Sequence, residues 1–263
     1  MVTESDFDAK TSQIVLINAI YFKGRWQNEF KAYNTKDANF YMTPDKIKKA
    51  KMMKLGPKYC RYSETEEFQF LSLPYMNSDL SMKIILPKKK FQLADVIANL
   101  TAEKLMEHLM KQRGVEVIVK IPKFDIKTKF DATLPLQSMG IKDLFEKDSN
   151  LEGMTDIKPT WLSSVLHSAF ICIDEEGTEA GAITAGDLRG CGLGDSPPPK
   201  PIKFKADHPF IYLITDEQNN IYFCGTITGA EFVDNGEIPP PIKEKLFKNP
   251  VTGFVKKLFE KKF

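Results

Sequence analysis

Apolar positions along this chain fall into short runs, either alternating with polar residues or filling four to nine consecutive places, and proline and glycine cut between them. The runs at 14–22, 67–73, 80–86, 115–121, 165–173, 209–215 and 221–228 are rich in β-branched and aromatic residues and have strand length, which predicts strands. Four stretches, at 14–17, 84–86, 165–173 and 210–214, are too apolar to leave one face wet and are expected to be interior strands covered on both sides. Helical spacing occurs at 93–111, where Leu105, Leu109 and Met110 share a face, and at 134–140, which ends at Gly140 as a C-cap. Gln218, Asn219 and Asn220 between two apolar runs form a hairpin turn, so 209–228 reads as an antiparallel pair. The mixture predicts an α+β fold.

Composition narrows the function classes. A chain of 263 residues with 42% hydrophobic positions can build one large core or two smaller ones. Thirty-seven Lys and Arg against 35 Asp and Glu leave +2, far from the basic surplus of a nucleic-acid binder, so no nucleic-acid partner is expected. No run approaches the roughly 18 apolar residues of a membrane span. The opening Met1, Val2, Thr3, Glu4, Ser5 and Asp6 lack the basic-then-apolar start of a signal peptide. Cys60, Cys172, Cys191 and Cys224 are too scattered for a disulfide framework and form no CxxC pair. No metal or cofactor is expected.

Enzyme motifs are absent from the chain: there is no HExxH, GxGxxG before a helix, Walker loop or GxSxG, and the histidines are His108, His167 and His208. Gly190, Gly192 and Gly194 alternate, but they run into Asp195-Ser196-Pro197-Pro198 and cannot open a phosphate-holding helix. A catalytic Cys191 would be a third, enzymatic reading, with no histidine near it in sequence. His167, inside an apolar strand, reads as a core histidine, and His208 before Pro209 as positional. Asn99-Leu100-Thr101 is a glycosylation triplet that matters only in a secreted chain.

The segment 175–186 carries the functional signal. Read with period two, Thr178, Ala180, Ala182, Thr184 and Gly186 form a small, uncharged face, and Glu179, Gly181, Ile183, Ala185 and Asp187 form the other. A solvated loop has no reason to keep charge off alternate positions, whereas in a buried strand an unpaired ion costs several kcal/mol. The pattern describes a loop able to become a strand. About a dozen residues entering a sheet, at near 1 kcal/mol net per hydrogen bond, would release on the order of 10 kcal/mol, enough for a mechanical switch.

Several blocks of the chain, in order, resemble the serpin family. Asn18-Ala19-Ile20-Tyr21-Phe22-Lys23-Gly24-Arg25-Trp26 is similar to the third strand of that family's central sheet and the turn after it. Ile121-Pro122-Lys123-Phe124 and Met139-Gly140-Ile141-Lys142-Asp143-Leu144-Phe145 resemble the sixth strand and following helix. Val165-Leu166-His167 and Glu175-Glu176-Gly177-Thr178-Glu179-Ala180 resemble the fifth strand and the hinge of the reactive-centre loop. Phe204-Lys205-Ala206-Asp207-His208-Pro209-Phe210 and Phe223-Cys224-Gly225-Thr226 resemble the C-terminal signature.

The resemblance implies a multi-sheet fold with a mobile reactive-centre loop at about 175–201, and a suicide inhibitor of serine or cysteine proteases whose acylated loop inserts between the strands at 14–22 and 165–173. It implies a hinge of Glu175, Glu176, Gly177, Thr178, Glu179, Ala180, Gly181 and Ala182, and switch residues Asn18, His167 and Trp26. Family spacing counted from Glu175 places the scissile bond at Cys191-Gly192, while Arg189-Gly190 would suit a trypsin-like enzyme. Gly181 and Ile183 replace alanines common in inhibitory relatives, on the face that stays outside after insertion.

The same resemblance covers about 1–229 and implies that the N-terminal helices and part of the central sheet are lacking. Two readings of that departure stand: a fragment or splice form of an inhibitor, or a short non-inhibitory binding or chaperone protein. Unmatched apolar faces would then favour self-association. Beyond 229 the segment 230–263 is a basic, interrupted amphipathic extension that suggests a membrane-surface or acidic-partner contact. Family habit favours the extracellular space, and the missing signal peptide leaves the cytoplasm as the alternative.

Overall fold

The structure is a computed structural model that describes residues 14–157, 159–175, 200–230 and 232. Among them, the chain divides into two compact units. The expected α+β mixture is present, and its strands fall into two separate sheets.

The first unit draws on residues 14–23 and 124–172. Its sheet has the order β1 (Ile14–Phe22), β8 (Leu162–Ile173), β7 (Phe124–Asp131), followed in sequence from β7 by helix α3 (Thr133–Ser138). The apolar run at 14–17 forms its strand but is not interior, contrary to expectation. Leu16, Ile17, Ile20 and Tyr21 are 54, 49, 38 and 62% exposed, and because neighbours in a strand point oppositely, both faces are wet. The run at 165–173 is half-buried, with Val165, Leu166, Ile171 and Ile173 inside. A continuous apolar run specifies what a covering layer would gain; it does not supply the layer.

The second unit, residues 24–123 and 173–232, holds the larger sheet, in the order β11 (Ile221–Ile227), β10 (Phe210–Thr215), β5 (Ser81–Pro87), β4 (Phe68–Pro74), β3 (Lys46–Glu64), β6 (Arg113–Pro122), β9 (Ile202–Lys205), with β2 (Lys36–Thr43) on β3. Here the apolar-run rule holds: every residue of β10, and every residue of β5 after Ser81, is buried. β10 and β11 form the expected antiparallel hairpin, with Asn219 at φ 66° taking the left-handed turn position that asparagine tolerates.

Four strands escaped the apolar pattern: β2, β3, β7 and β9. β3 is 19 residues of mostly lysine-interrupted sequence that pairs with β2, β6 and β4 along successive parts of its length. Its register with β6 shifts between Leu55 and Lys58, across Gly56 and Pro57, where a residue without an N–H breaks the ladder. The single helix expected at 93–111 is two, α1 (Leu93–Asn99) and α2 (Ala102–Met110). The break falls at Leu100 and Thr101 because the Thr101 hydroxyl accepts the Lys104 N–H at 3.3 Å and caps α2.

The corner from β9 into β10 is pinned by buried charge. His208 Nδ1 lies 3.0 Å from Asp207 Oδ1 and Nε2 lies 2.8 Å from the Pro87 carbonyl, while Lys205 Nζ reaches Asp207 Oδ2 at 2.7 Å. Burial alone would raise the Asp207 carboxyl; the hydrogen bonds from His208 and Lys205 outweigh it and hold the group down at about 2. His208 is thus positional, as its place before a proline suggested.

Candidate functional site

In the first unit, β1 and β8 pair directly and in parallel, in continuous register from Val15 opposite Ser164 to Phe22 opposite Ile171, with a register shift separating these from Ile14 opposite Leu162. Asn18 faces His167 across the pair, its Nδ2 3.2 Å from the ring Nδ1. The amide nitrogen can only donate, so Nδ1 accepts. The same imidazole leans on the Phe130 ring of β7 at 5.2 Å, and Tyr21 stacks on Phe170 at 5.3 Å. His167 is half-exposed, not the enclosed core histidine expected from its apolar strand. Among the described residues, Asn18 and His167 are the one pair of polar side chains that the register brings face to face across this interface.

In the second unit, Trp26 and Lys123 grip the two residues that precede position 176. Trp26, 2% exposed, donates its indole N–H to the Asp174 carbonyl at 2.9 Å. The ring is locked by stacking on Tyr75 at 4.7 Å, by an edge contact with Phe30 at 5.8 Å, and by a backbone bridge to Tyr75. Glu175 Oε2 lies 2.9 Å from Lys123 Nζ, its own side chain only 15% exposed. Burial pushes the Glu175 carboxyl up, and the hydrogen bonds it accepts, that of Lys123 foremost, together with the Lys123 charge more than reverse this, leaving it below the ordinary glutamate range.

A group lowered on folding stabilises above its unfolded value and loses that contribution as pH falls through its folded one. Glu175→Gln is therefore expected to cost about 1 kcal/mol near pH 7, since Lys123 is half-exposed and screened, and less at acid pH, where the folded carboxylate begins to be protonated. Urea unfolding of the two proteins at both pH values checks this; an equal cost at both would show that the ion pair contributes nothing.

The other proposed hinge residues, Glu176, Gly177, Thr178, Glu179, Ala180, Gly181 and Ala182, lie outside the described residues, as do Arg189, Gly190, Cys191 and Gly192. Of the extension after 229, Ala230 and Phe232 are described: Phe232 is buried edge-on to Phe40 at 4.8 Å, and its carbonyl accepts from Lys48. Sequence reasoning did not find Lys123 as the partner of Glu175, Tyr75 as the platform for Trp26, or Phe130 beside His167. Lys123 was marked within Ile121-Pro122-Lys123-Phe124, but 52 residues separate it from Glu175, and no local periodicity links them.

Among the described residues, no group of three or more His, Cys, Asp and Glu could hold a metal ion. Burial pushes the Cys60 and Cys224 thiols up to about 11, which keeps both protonated and unreactive. No helix among the described residues is long and apolar enough to cross a membrane.

The family description "Serpin (serine protease inhibitor)" matches residues 1–229. The chain belongs to the serpin family. Human "Serpin B3" is 36% identical over 230 residues, which is 86% of this chain and 57% of that protein. "Leukocyte elastase inhibitor" of Sus scrofa is 37% identical over 225 residues, 82% of this chain and 58% of the relative. Among solved structures, uncleaved ovalbumin matches with a TM-score of 0.69 at 28% identity, covering 82% of this serpin and 54% of ovalbumin. Maspin matches at 0.71 and 26%, covering 86% and 60%. This serpin chain thus spans less than two thirds of the length of the relatives it matches.

Proposed function

We propose that this serpin inhibits serine-type endopeptidases as a suicide substrate, with cleavage of the segment after Glu175 followed by its insertion between β1 and β8. The observation that carries the reading is the parallel pairing of those two strands. The segment leaves from the end of β8, so to enter between β8 and β1 it must fold back and run antiparallel to both. One parallel interface would become two antiparallel ones, and antiparallel ladders are the more stable per residue. Beyond its backbone ladder, the closed pair is tied by side chains as small as the Asn18 amide and the His167 ring, a contact that a new strand can displace. Trp26 and Lys123 hold Asp174 and Glu175, so they set the point from which the cut strand would turn. A small, uncharged alternate face on Thr178, Ala180, Ala182 and Thr184 fits the strand so formed.

Arg189-Gly190 is the bond a trypsin-like enzyme would choose, and Cys191-Gly192 the one family spacing favours. Incubation of the chain with trypsin is expected to give a band at the summed mass of the two proteins on a denaturing gel. Cleavage near Arg189 or Cys191 with no such band, and no rise in thermal stability of the cut chain, would show a substrate and leave the non-inhibitory reading.

A further inference from the structure

The register of the larger sheet places three lysines in one row. Lys54 of β3 is opposite Lys120 of β6, and Lys120 is opposite Lys205 of β9. Directly opposed residues point to the same side of a sheet, with side-chain roots about 5 Å apart, and like charges so placed destabilise the pairing. Lys203, two residues before Lys205 and opposite Ile118, adds a fourth cation to that face. Lys54, Lys203 and Lys205 are exposed and Lys120 is half-exposed.

Among the described residues, two carboxylates lie at neighbouring positions of these strands. Asp207 is taken by His208 and Lys205, with Lys90 a further 3.9 Å contact. Glu116 lies four residues along β6 from Lys120, opposite Tyr59, and so about 13 Å away. Alternating signs or threonines would serve the sheet better than this row. The buried face of the same strands needs no such charge: Leu55, Val119 and Phe204 fill it in the adjacent register row.

Position in the chain selects the partner. β9 begins at Ile202, directly after the segment that carries the candidate scissile bonds, and Lys203 lies 12 residues beyond Cys191. Those residues can span at most about 40 Å, the breadth of an enzyme of ordinary domain size. A protease holding that bond stays within that distance of the row. Resting on the function proposed above, we propose that Lys54, Lys120, Lys203 and Lys205 form a secondary docking surface for proteases that carry an acidic patch near the active-site cleft. The row then selects among enzymes with the same bond preference by charge, through faster association more than slower release.

The test uses the full chain and two trypsins, one anionic and one cationic, each with the nucleophilic serine changed to alanine so that binding is read without trapping. The anionic form is expected to bind about tenfold tighter at low salt, with the difference vanishing at high salt. Lys54→Glu with Lys120→Glu should abolish that preference, whereas Lys104→Glu with Lys142→Glu, which changes net charge equally at exposed positions elsewhere, should keep it. Equal affinity for the two trypsins, no binding of either, or equal effects of the two double variants would overturn the proposal. So would unchanged trypsin binding accompanied by loss of retention on a sulfated polysaccharide, which would assign the row to that ligand. Active trypsin that forms no covalent band, while the inactive anionic form still binds through the row, would sink the inhibitory reading and leave the docking surface standing.

Discussion

Trp26→Ala is expected to lower the stability of the second unit by about 3–5 kcal/mol, the range for emptying a buried large aromatic site. The indole is 2% exposed, stacked on Tyr75 and edged by Phe30, so its removal leaves a cavity walled by rings that cannot collapse into it. It also removes the indole N–H from which the Asp174 carbonyl accepts. Trp26→Phe separates the two parts: the ring stack survives in large measure and only the N–H is lost, for about 1–2 kcal/mol. Urea transitions followed by far-ultraviolet circular dichroism read both. A stability drop, on that scale, consumes a large share of the 5–15 kcal/mol typical of a domain. If alanine and phenylalanine cost the same, the stacking contributes nothing and the hydrogen bond to Asp174 is the whole of the effect.

Gly225→Val is expected to destabilise the second unit by about 3 kcal/mol, at the upper end for overpacking. A Cβ at position 225 would stand 2.7 Å from the Tyr212 hydroxyl, 2.8 Å from Cε1 and 3.0 Å from Cζ. Tyr212 is the register partner of Gly225 and is 4% exposed, so its ring covers the glycine and has no solvent to swing into. The clash predicts non-additivity. With Tyr212→Ala already in place, the valine finds room, and the double variant should be more stable than the sum of the single losses by about 1–2 kcal/mol. Additive losses would mean that the ring and the new side chain never meet.

Most of this fold was legible wherever an apolar run met its own covering. β5, β10 and β11 lie within one or two residues of their expected bounds, because consecutive isoleucines, leucines and aromatic residues bounded by turn residues leave no helical alternative. β3 was not legible. Its apolar residues, Ala50, Met52, Met53, Leu55 and Cys60, are spread through lysines on a strand that changes partners and bulges, so no constant period of two survives. β9 is four residues long and belongs to the sheet only through β6, a pairing that no local pattern announces.

The candidate site divides in the same way. Asn18, His167, Trp26 and Glu175 were marked from motif resemblance, and the alternation at 178–186 from strand geometry. The partners of Trp26 and Glu175 were not marked, because the Trp26 contact with Asp174 spans 148 residues and the Glu175 contact with Lys123 spans 52; Asn18 and His167, 149 apart, were marked together only through the resemblance. The lysine row illustrates the point most sharply: Lys54, Lys120 and Lys205 are unremarkable one by one in a chain of net charge +2, and become a charged surface only by register.

By itself, then, the sequence determined the strand-rich α+β class, the hairpin at its end, the family, and a segment chemically suited to become a strand. The family rests on motif resemblance; the rest follows from near-neighbour rules: side-chain alternation, turn residues, and the cost of burying charge. The tertiary structure alone decided that β1 stays wet on both faces, that β1 and β8 pair in parallel through Asn18 and His167, and which residues hold Asp174 and Glu175. Burial and register are properties of what lies across a gap in space, and residues 52 to 149 positions apart leave no shared period in the chain from which to read them.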